Sequence, residues 1–169
     1  MAVPDPDHLG FDIFAIVREF ERQRVEYILI GGGAGILHGA TRITEDLDFL
    51  IRGGMENLHR TAQALGALGA KTQDGQAPDH DDLRGANTLW KTRFGRVDVL
   101  VTATGPKGSR LSYPDLVTHA VAMKGIPGTS IVVVASLDDL ILMKRAAGRP
   151  KDHEALPELE ALRDAAGES

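Results

Sequence analysis

Asp46 and Asp48 stand two residues apart in a run, Asp46 to Ile51, that alternates strictly: Leu47, Phe49 and Ile51 on one face, Asp46, Asp48 and Leu50 on the other. Such alternation predicts a strand. Two residues of strand span about 6.6 Å and return to the same face, so the two carboxylates stand side by side. Unpaired, they repel by roughly 2.8 kcal/mol at about 6 Å and an effective dielectric near 20. A strand that buries its other face seldom places two acids together without a cation, and Mg2+ suits the position because it takes hard oxygen ligands, often one or two carboxylates plus substrate phosphates. Two acids on a solvated strand face satisfy the same short pattern.

Three further groups add to the pair. Asp98 interrupts Val97, Val99 and Val101 and falls on the opposite face from them, beside Arg96 and Leu100. If its strand neighbours the first, three carboxylates converge, enough to hold two metals about 3.5–4 Å apart for an in-line phosphoryl or nucleotidyl displacement. Upstream, Gly31-Gly32-Gly33 follows a short apolar run, and successive glycines let backbone N–H groups approach a phosphate. Their spacing fits neither the dinucleotide fingerprint nor the P-loop. Downstream, Lys144 lies on the helical stripe of Leu137, Leu140 and Ile141, where a cation wants an anion, although a long stem can also snorkel to water. Lys144, Arg145, Arg149 and Lys151 form a basic cluster without an intervening acid, suited to phosphate or RNA backbone and equally to a helix C-terminus.

The elements that must position these groups read as follows. An amphipathic helix covers 7–24, with Leu9, Ile13, Ile16, Val17 and Phe20 on its apolar stripe. Tyr27–Ile30 is a buried strand stopped by the glycine turn, followed by a short helix over 34–38. After the Asp46–Ile51 strand, Met55–Leu68 has helical periodicity and the polar stretch 71–84 is a loop. Thr88–Arg93 and Arg96–Thr102 form a hairpin about Phe94-Gly95. A Gly/Pro/Ser loop covers 104–114, a helix or strand lies around 116–123, and 131–134 is a strand. Ser136 caps a helix that Gly148 ends, and Pro150 opens another that is helical on both sides of Pro157. Interleaved strands and helices indicate an α/β or α+β fold with a helical C-terminal end.

Composition sets the outer limits. A chain of 169 residues fits a single domain, read as a 7–24 helix, a 25–135 core and 136–165 helices. No apolar run approaches the ~18 residues of a membrane helix, and Met1 to Gly10 lacks the basic-then-apolar order of a signal peptide, so a cytoplasmic location and no membrane partner are expected. With no cysteine, thiol catalysis and thiolate metal sites are excluded. A net charge of −5 argues against broad coating of nucleic acid. Glycine, 19 residues, is in excess, against an average usage of about 7%.

Taken together, Ile30-Gly31-Gly32, then His38 through Arg42-Ile43-Thr44-Glu45-Asp46-Leu47-Asp48, resembles the signature of the nucleotidyltransferase superfamily: a hydrophobic strand, a Gly-Gly or Gly-Ser turn, a short helix and an Arg-x-[ST]-x-Asp-x-Asp strand. Within it the sequence looks most like the AbiEii-type toxin nucleotidyltransferases, and Ser136-Leu137-Asp138-Asp139-Leu140-Ile141 with Lys144 and Gly148 to Asp152 is similar to their C-terminal motifs. The resemblance spans roughly residues 25 to 155. It implies a mixed sheet flanked by helices with a C-terminal helical segment. It also implies Mg2+, two ions or Mn2+ in their place, on Asp46, Asp48 and Asp98, with catalysis by these acids together with Lys144 and Asp152. Nucleotide would be held by Gly31, Gly32, Arg42, Thr44 and Lys144. The implied reaction moves a nucleoside monophosphate from an NTP to a hydroxyl on RNA, such as a tRNA end, or on protein, with a cognate antitoxin as partner. An antibiotic or other small-molecule acceptor, and a non-catalytic nucleotide- or partner-binding module of the same fold, are the alternatives. Gly32 stands where many members have Ser. Arg42 and Thr44 either position phosphates or brace the acidic strand, and Asp152 also suits the first turn of the last helix.

Other residues carry less. His80 lies among Asp79, Asp81 and Asp82 in what reads as a solvated acidic loop. His38, His59, His119 and His153 show no zinc spacing, and Trp90 and Tyr113 read as packing residues.

Overall fold

The computed structural model describes residues 11–84, 88–124 and 131–167; the first residues of the expected 7–24 helix lie outside them. Helix α1 (Ile13–Arg22) begins where Asp12 accepts a hydrogen bond from the Ala15 amide at 3.0 Å, and it buries Ile16, Val17 and Phe20. Strand β1 (Tyr27–Ile30) is buried along its whole length and stops at Gly31, whose positive φ turns the chain directly into α2 (Gly31–Leu37), so the glycines both end the strand and open the helix. Then come β2 (Asp46–Ile51), α3 (Met55–Ala67), and the hairpin β3 (Thr88–Thr92) and β4 (Gly95–Leu100). Among its described residues the long polar segment before the hairpin holds a 3-10 turn, Asp81–Leu83.

The expected loop over 104–114 is a second, two-stranded antiparallel sheet. Its strands are β5 (Thr102–Thr104) and β6 (Arg110–Ser112), joined through a 3-10 turn at Pro106–Gly108. The glycines and proline that signal irregular chain supply this tight connection, closed by Gly105 N–H donating to the Ser109 carbonyl at 2.8 Å. The ambiguous stretch 116–123 divides into the end of α4 (Tyr113–Val117) and β7 (Val121–Met123). Strand β8 (Val132–Val134) precedes α5 (Leu137–Ala147), which Ser136 caps by accepting from the Asp139 amide at 3.1 Å. Gly148 ends α5 in the left-handed conformation, φ 62°, and α6 (Pro150–Gly167) continues unbroken through Pro157.

The six-stranded sheet has the order β3-β4-β2-β1-β8-β7. It is mixed: β2 with β4 and β1 with β8 are parallel, and the other neighbours are antiparallel. A mixed sheet flanked by helices is what the sequence leads one to expect. Leu47, Phe49, Val97 and Val99 point into the core, so the alternate residues Asp46, Asp48, Arg96 and Asp98 all stand on the other face. Behind the acidic strand, Phe49 stacks on Phe20 with centroids 4.0 Å apart and meets the edge of Tyr27 at 5.2 Å. Among the described residues no helix is long and apolar enough to cross a membrane.

The aromatic cluster fixes β2 against α1, and Phe49 is fully buried. Phe49→Ala is expected to cost about 3–5 kcal/mol, read as a lower urea midpoint with little change in slope.

Candidate active site

The register of β2 with β4 builds the floor of the site. Asp48 lies directly opposite Asp98, and Asp46 directly opposite Arg96. Adjacent strands are about 4.8 Å apart, so two carboxylates share one small area of sheet. Asp98 is placed by the hairpin, whose other strand, β3, holds β4 from the far side.

Gly31 explains how Asp48 is accommodated. Its φ is +69°, and a Cβ there would collide with Asp48 Oδ2. Only glycine combines that conformation with that approach. Gly32 is tight for another reason: a Cβ would sit 3.0 Å from Thr44 Oγ1. The Thr44 hydroxyl donates to the Asp46 carbonyl at 2.9 Å, so Thr44 braces the acidic strand. Arg42 is directed elsewhere, pairing with Glu154 of α6 at 3.1 Å, while Thr41 donates through both its amide and hydroxyl to Glu158 at 2.8 Å. The loop that leads into the acidic strand is thereby clasped to the last helix.

The opposite wall is basic. Asp152 is fully buried in the first turn of α6, and it gathers the cations. Lys144 Nζ donates to it at 3.2 Å, Arg149 Nε at 2.7 Å and the Arg149 amide at 3.1 Å. Burial pushes the Asp152 carboxyl up, but the bonds from Arg149 and Lys144 outweigh it and hold the group below the usual carboxylate range. Asp152 borders the cleft beside the two cations that it fixes. Arg145 of the expected basic cluster faces away, paired with Glu160 at 2.5 Å.

Floor and wall enclose two adjoining chambers of about 360 and 450 Å3, which share Gly31, Asp46, Asp48, Lys144, Arg149 and Lys151. The first extends to Gly32, Arg42 and Thr44, and the second to Asp98 and Asp152. All nine residues singled out from the sequence therefore line one cleft, although they come from segments more than a hundred residues apart.

The floor is electrostatically uncomfortable. Asp48 is raised to about 6 by burial and by the charge of Asp46, against the pull of Lys144, Lys151 and Arg149. Asp98 is likewise raised to about 6, by burial and then by Asp48 and Asp46. One Asp98 oxygen, Oδ1, is buried with no hydrogen-bond partner. Hard oxygens, excess negative charge and an unpartnered buried oxygen are a donor set that fits a divalent cation. The full convergence of three acids is incomplete, however. Among the described residues no three His, Asp or Glu side chains are gathered closely enough to ligate one ion, and Asp46 is drawn to Arg96 at 3.2 Å.

Arg96, which also contacts Glu45 at 3.0 Å, is the site residue that sequence reasoning passed over. Its signal was available: Arg96 and Asp98 repeat the two-residue spacing of Asp46 and Asp48. The clasp of Thr41 and Arg42 to α6 had no local signal. Elsewhere, His38 contacts the Ala135 carbonyl at 2.8 Å through Nε2, and in the acidic loop Asp79 accepts from the Asp81 and Asp82 amides, capping its own turn.

With this geometry in view, the chain has the nucleotidyltransferase fold. A Thermotoga maritima protein assigned as a nucleotidyltransferase superposes with a TM-score of 0.51 at 14% identity, covering 91% of this chain and 89% of its own. The antibiotic-resistance factor ANT(2'')-Ia matches in its solution structure with a TM-score of 0.52 at 17% identity, covering 92% and 89%. Its crystal structure with adenylyl-2''-tobramycin matches with 0.53 at 16%, covering 90% and 93%. No family model and no curated protein sequence matches the chain.

Two outcomes follow. An acid whose pKa is higher folded than unfolded binds more protons in the folded state, so its ionisation costs stability as pH rises from about 4 through about 6. In metal-free buffer Asp48→Asn is expected to stabilise the protein at pH 7.5 by about 1–3 kcal/mol, the gain vanishing by pH 4, as followed by melting temperature. Asp152→Ala, which strands Lys144, is expected to destabilise by about 3 kcal/mol, measured by urea unfolding.

Proposed function

We propose that this protein is a metal-dependent nucleotidyltransferase that moves a nucleoside monophosphate from an NTP to a hydroxyl acceptor and releases pyrophosphate. The observation that carries the reading is the register of Asp48 against Asp98, facing Lys144 and Arg149 across one cleft. Asp48 and Asp98 would hold Mg2+ or Mn2+, with Asp46 joining them. When bound there, the ion would supply charge neutralisation and would make a nearby hydroxyl easier to deprotonate.

This chain's own residues do the remaining work. Lys144 and Arg149, fixed by Asp152, hold the triphosphate, and Gly31 and Gly32 leave room for it beside the acidic strand. Thr44 keeps that strand in place. Asp98, with an oxygen free to accept, takes the proton of the acceptor hydroxyl. The acceptor oxygen then forms its bond to the α-phosphorus as the bond to pyrophosphate breaks, and the cations receive the charge that develops on the leaving group. Asp152 acts as a positioning residue.

The resemblance to AbiEii-type toxins and the basic wall favour RNA or protein as acceptor, within a toxin–antitoxin pair. A small-molecule acceptor is the second reading, favoured by the likeness to ANT(2'')-Ia and its adenylylated aminoglycoside.

The test incubates the protein with labelled NTPs and Mg2+ against total RNA, lysate protein and an aminoglycoside panel. Label is expected on one acceptor class, and Asp48→Ala and Asp98→Asn are each expected to reduce transfer by about 100-fold or more. Transfer undiminished in Asp48→Ala would overturn the metal-site assignment. No transfer and no NTP-dependent thermal shift would favour a non-catalytic partner-binding module.

A further inference from the structure

Asp46 differs from the other two acids of the floor. Among the described residues it alone of the three has an ion-pair partner, Arg96, which stands opposite it in the strand register. The guanidinium is shared: the same Nη2 lies 3.2 Å from Asp46 and 3.0 Å from Glu45. Both members of the Asp46–Arg96 pair are partly exposed, 39% and 44%, so water screens the pair and its exchange is easy. Arg96 also lines the same chamber as Gly31, Gly32 and Lys144, where a phosphate chain would lie. A guanidinium fork matches phosphate at least as well as it matches a carboxylate.

We propose that Arg96 is a displaceable counter-cation, which occupies Asp46 while the cleft is empty and passes to the phosphates of an entering nucleotide, freeing Asp46 for a divalent ion. Glu45 keeps the guanidinium at the edge of the floor throughout the exchange. The inference rests on the nucleotidyltransferase reading above and deepens it, because nucleotide and metal then load together. By linkage, whatever nucleotide does for metal affinity, metal does equally for nucleotide affinity.

The test is Mn2+ binding to the full chain, followed by the electron paramagnetic resonance of free Mn2+, with and without a non-hydrolysable NTP analogue. The wild type is expected to bind Mn2+ about tenfold more tightly with the analogue than without it. Arg96→Gln is expected to bind about fivefold more tightly than wild type without the analogue, and to lose most of the analogue's effect. Arg96→Lys, which keeps the charge but not the fork, should fall between them. Unchanged or weaker Mn2+ binding by Arg96→Gln overturns the proposal. So does an equal gain with and without the analogue, which would mark a general charge effect. If neither protein binds Mn2+ under any condition, the nucleotidyltransferase reading itself fails. Mn2+ binding by wild type with no response to Arg96→Gln leaves that reading intact and removes only the role of Arg96.

Discussion

Two like charges placed in register on neighbouring strands are the constraint from which the rest of this structure follows. Asp48 opposite Asp98, with Asp46 one pleat away, is an arrangement that a sheet chosen for stability alone would avoid. Burial on the core side fixes it: Leu47, Phe49, Val97 and Val99 are packed too well for either strand to slip, and a slip of one residue would turn the valines outward. The hydrophobic face of the sheet thus holds the polar face in a state that it would not choose. Gly31 makes room for one of the carboxylates, and the unpartnered oxygen of Asp98 is what remains of the conflict.

The answer to that charge comes from a different layer. Lys144 sits near the end of α5 and Arg149 at the joint before α6, and a single buried carboxylate, Asp152, holds both. The design separates two tasks. Acids that must stay available are on rigid sheet, and cations that would otherwise swing freely are tethered from behind by an acid that is not available to solvent. The clasp from Thr41 and Arg42 to Glu158 and Glu154 joins the two layers at the rim, through exposed contacts that water competes for.

Much of the floor was legible because strand geometry translates spacing into position. The Asp46–Asp48 alternation and the interruption of the valines by Asp98 needed only a period of two, and the capped helix at Ser136 with its stop at Gly148 needed only local chemistry. What strand pairing contributes was not legible: that β2 and β4 are parallel neighbours, and that Asp48 meets Asp98 and Asp46 meets Arg96, follow from the whole topology. The pair β5–β6 was hidden because its glycines and proline serve a tight turn as well as they serve a loop. Asp152 read as a catalytic acid or as a helix-end charge; it does stand in the first turn of α6, and its enclosure by Lys144 and Arg149 had no local signal. The contacts of Arg42, between residues 112 positions apart, leave no trace in local sequence.

The order of the layers along the chain has a consequence for biosynthesis. Every acid of the floor precedes every cation of the wall: Asp46, Asp48 and Asp98 emerge from the ribosome well before Lys144 and Arg149. A chain that has paired β2 with β4 but has not yet docked α5 and α6 meets its acids with Arg96 on the same strand pair and without Lys144 and Arg149. Docking of α5 and α6 is therefore the step that turns an acidic sheet into a two-walled cleft.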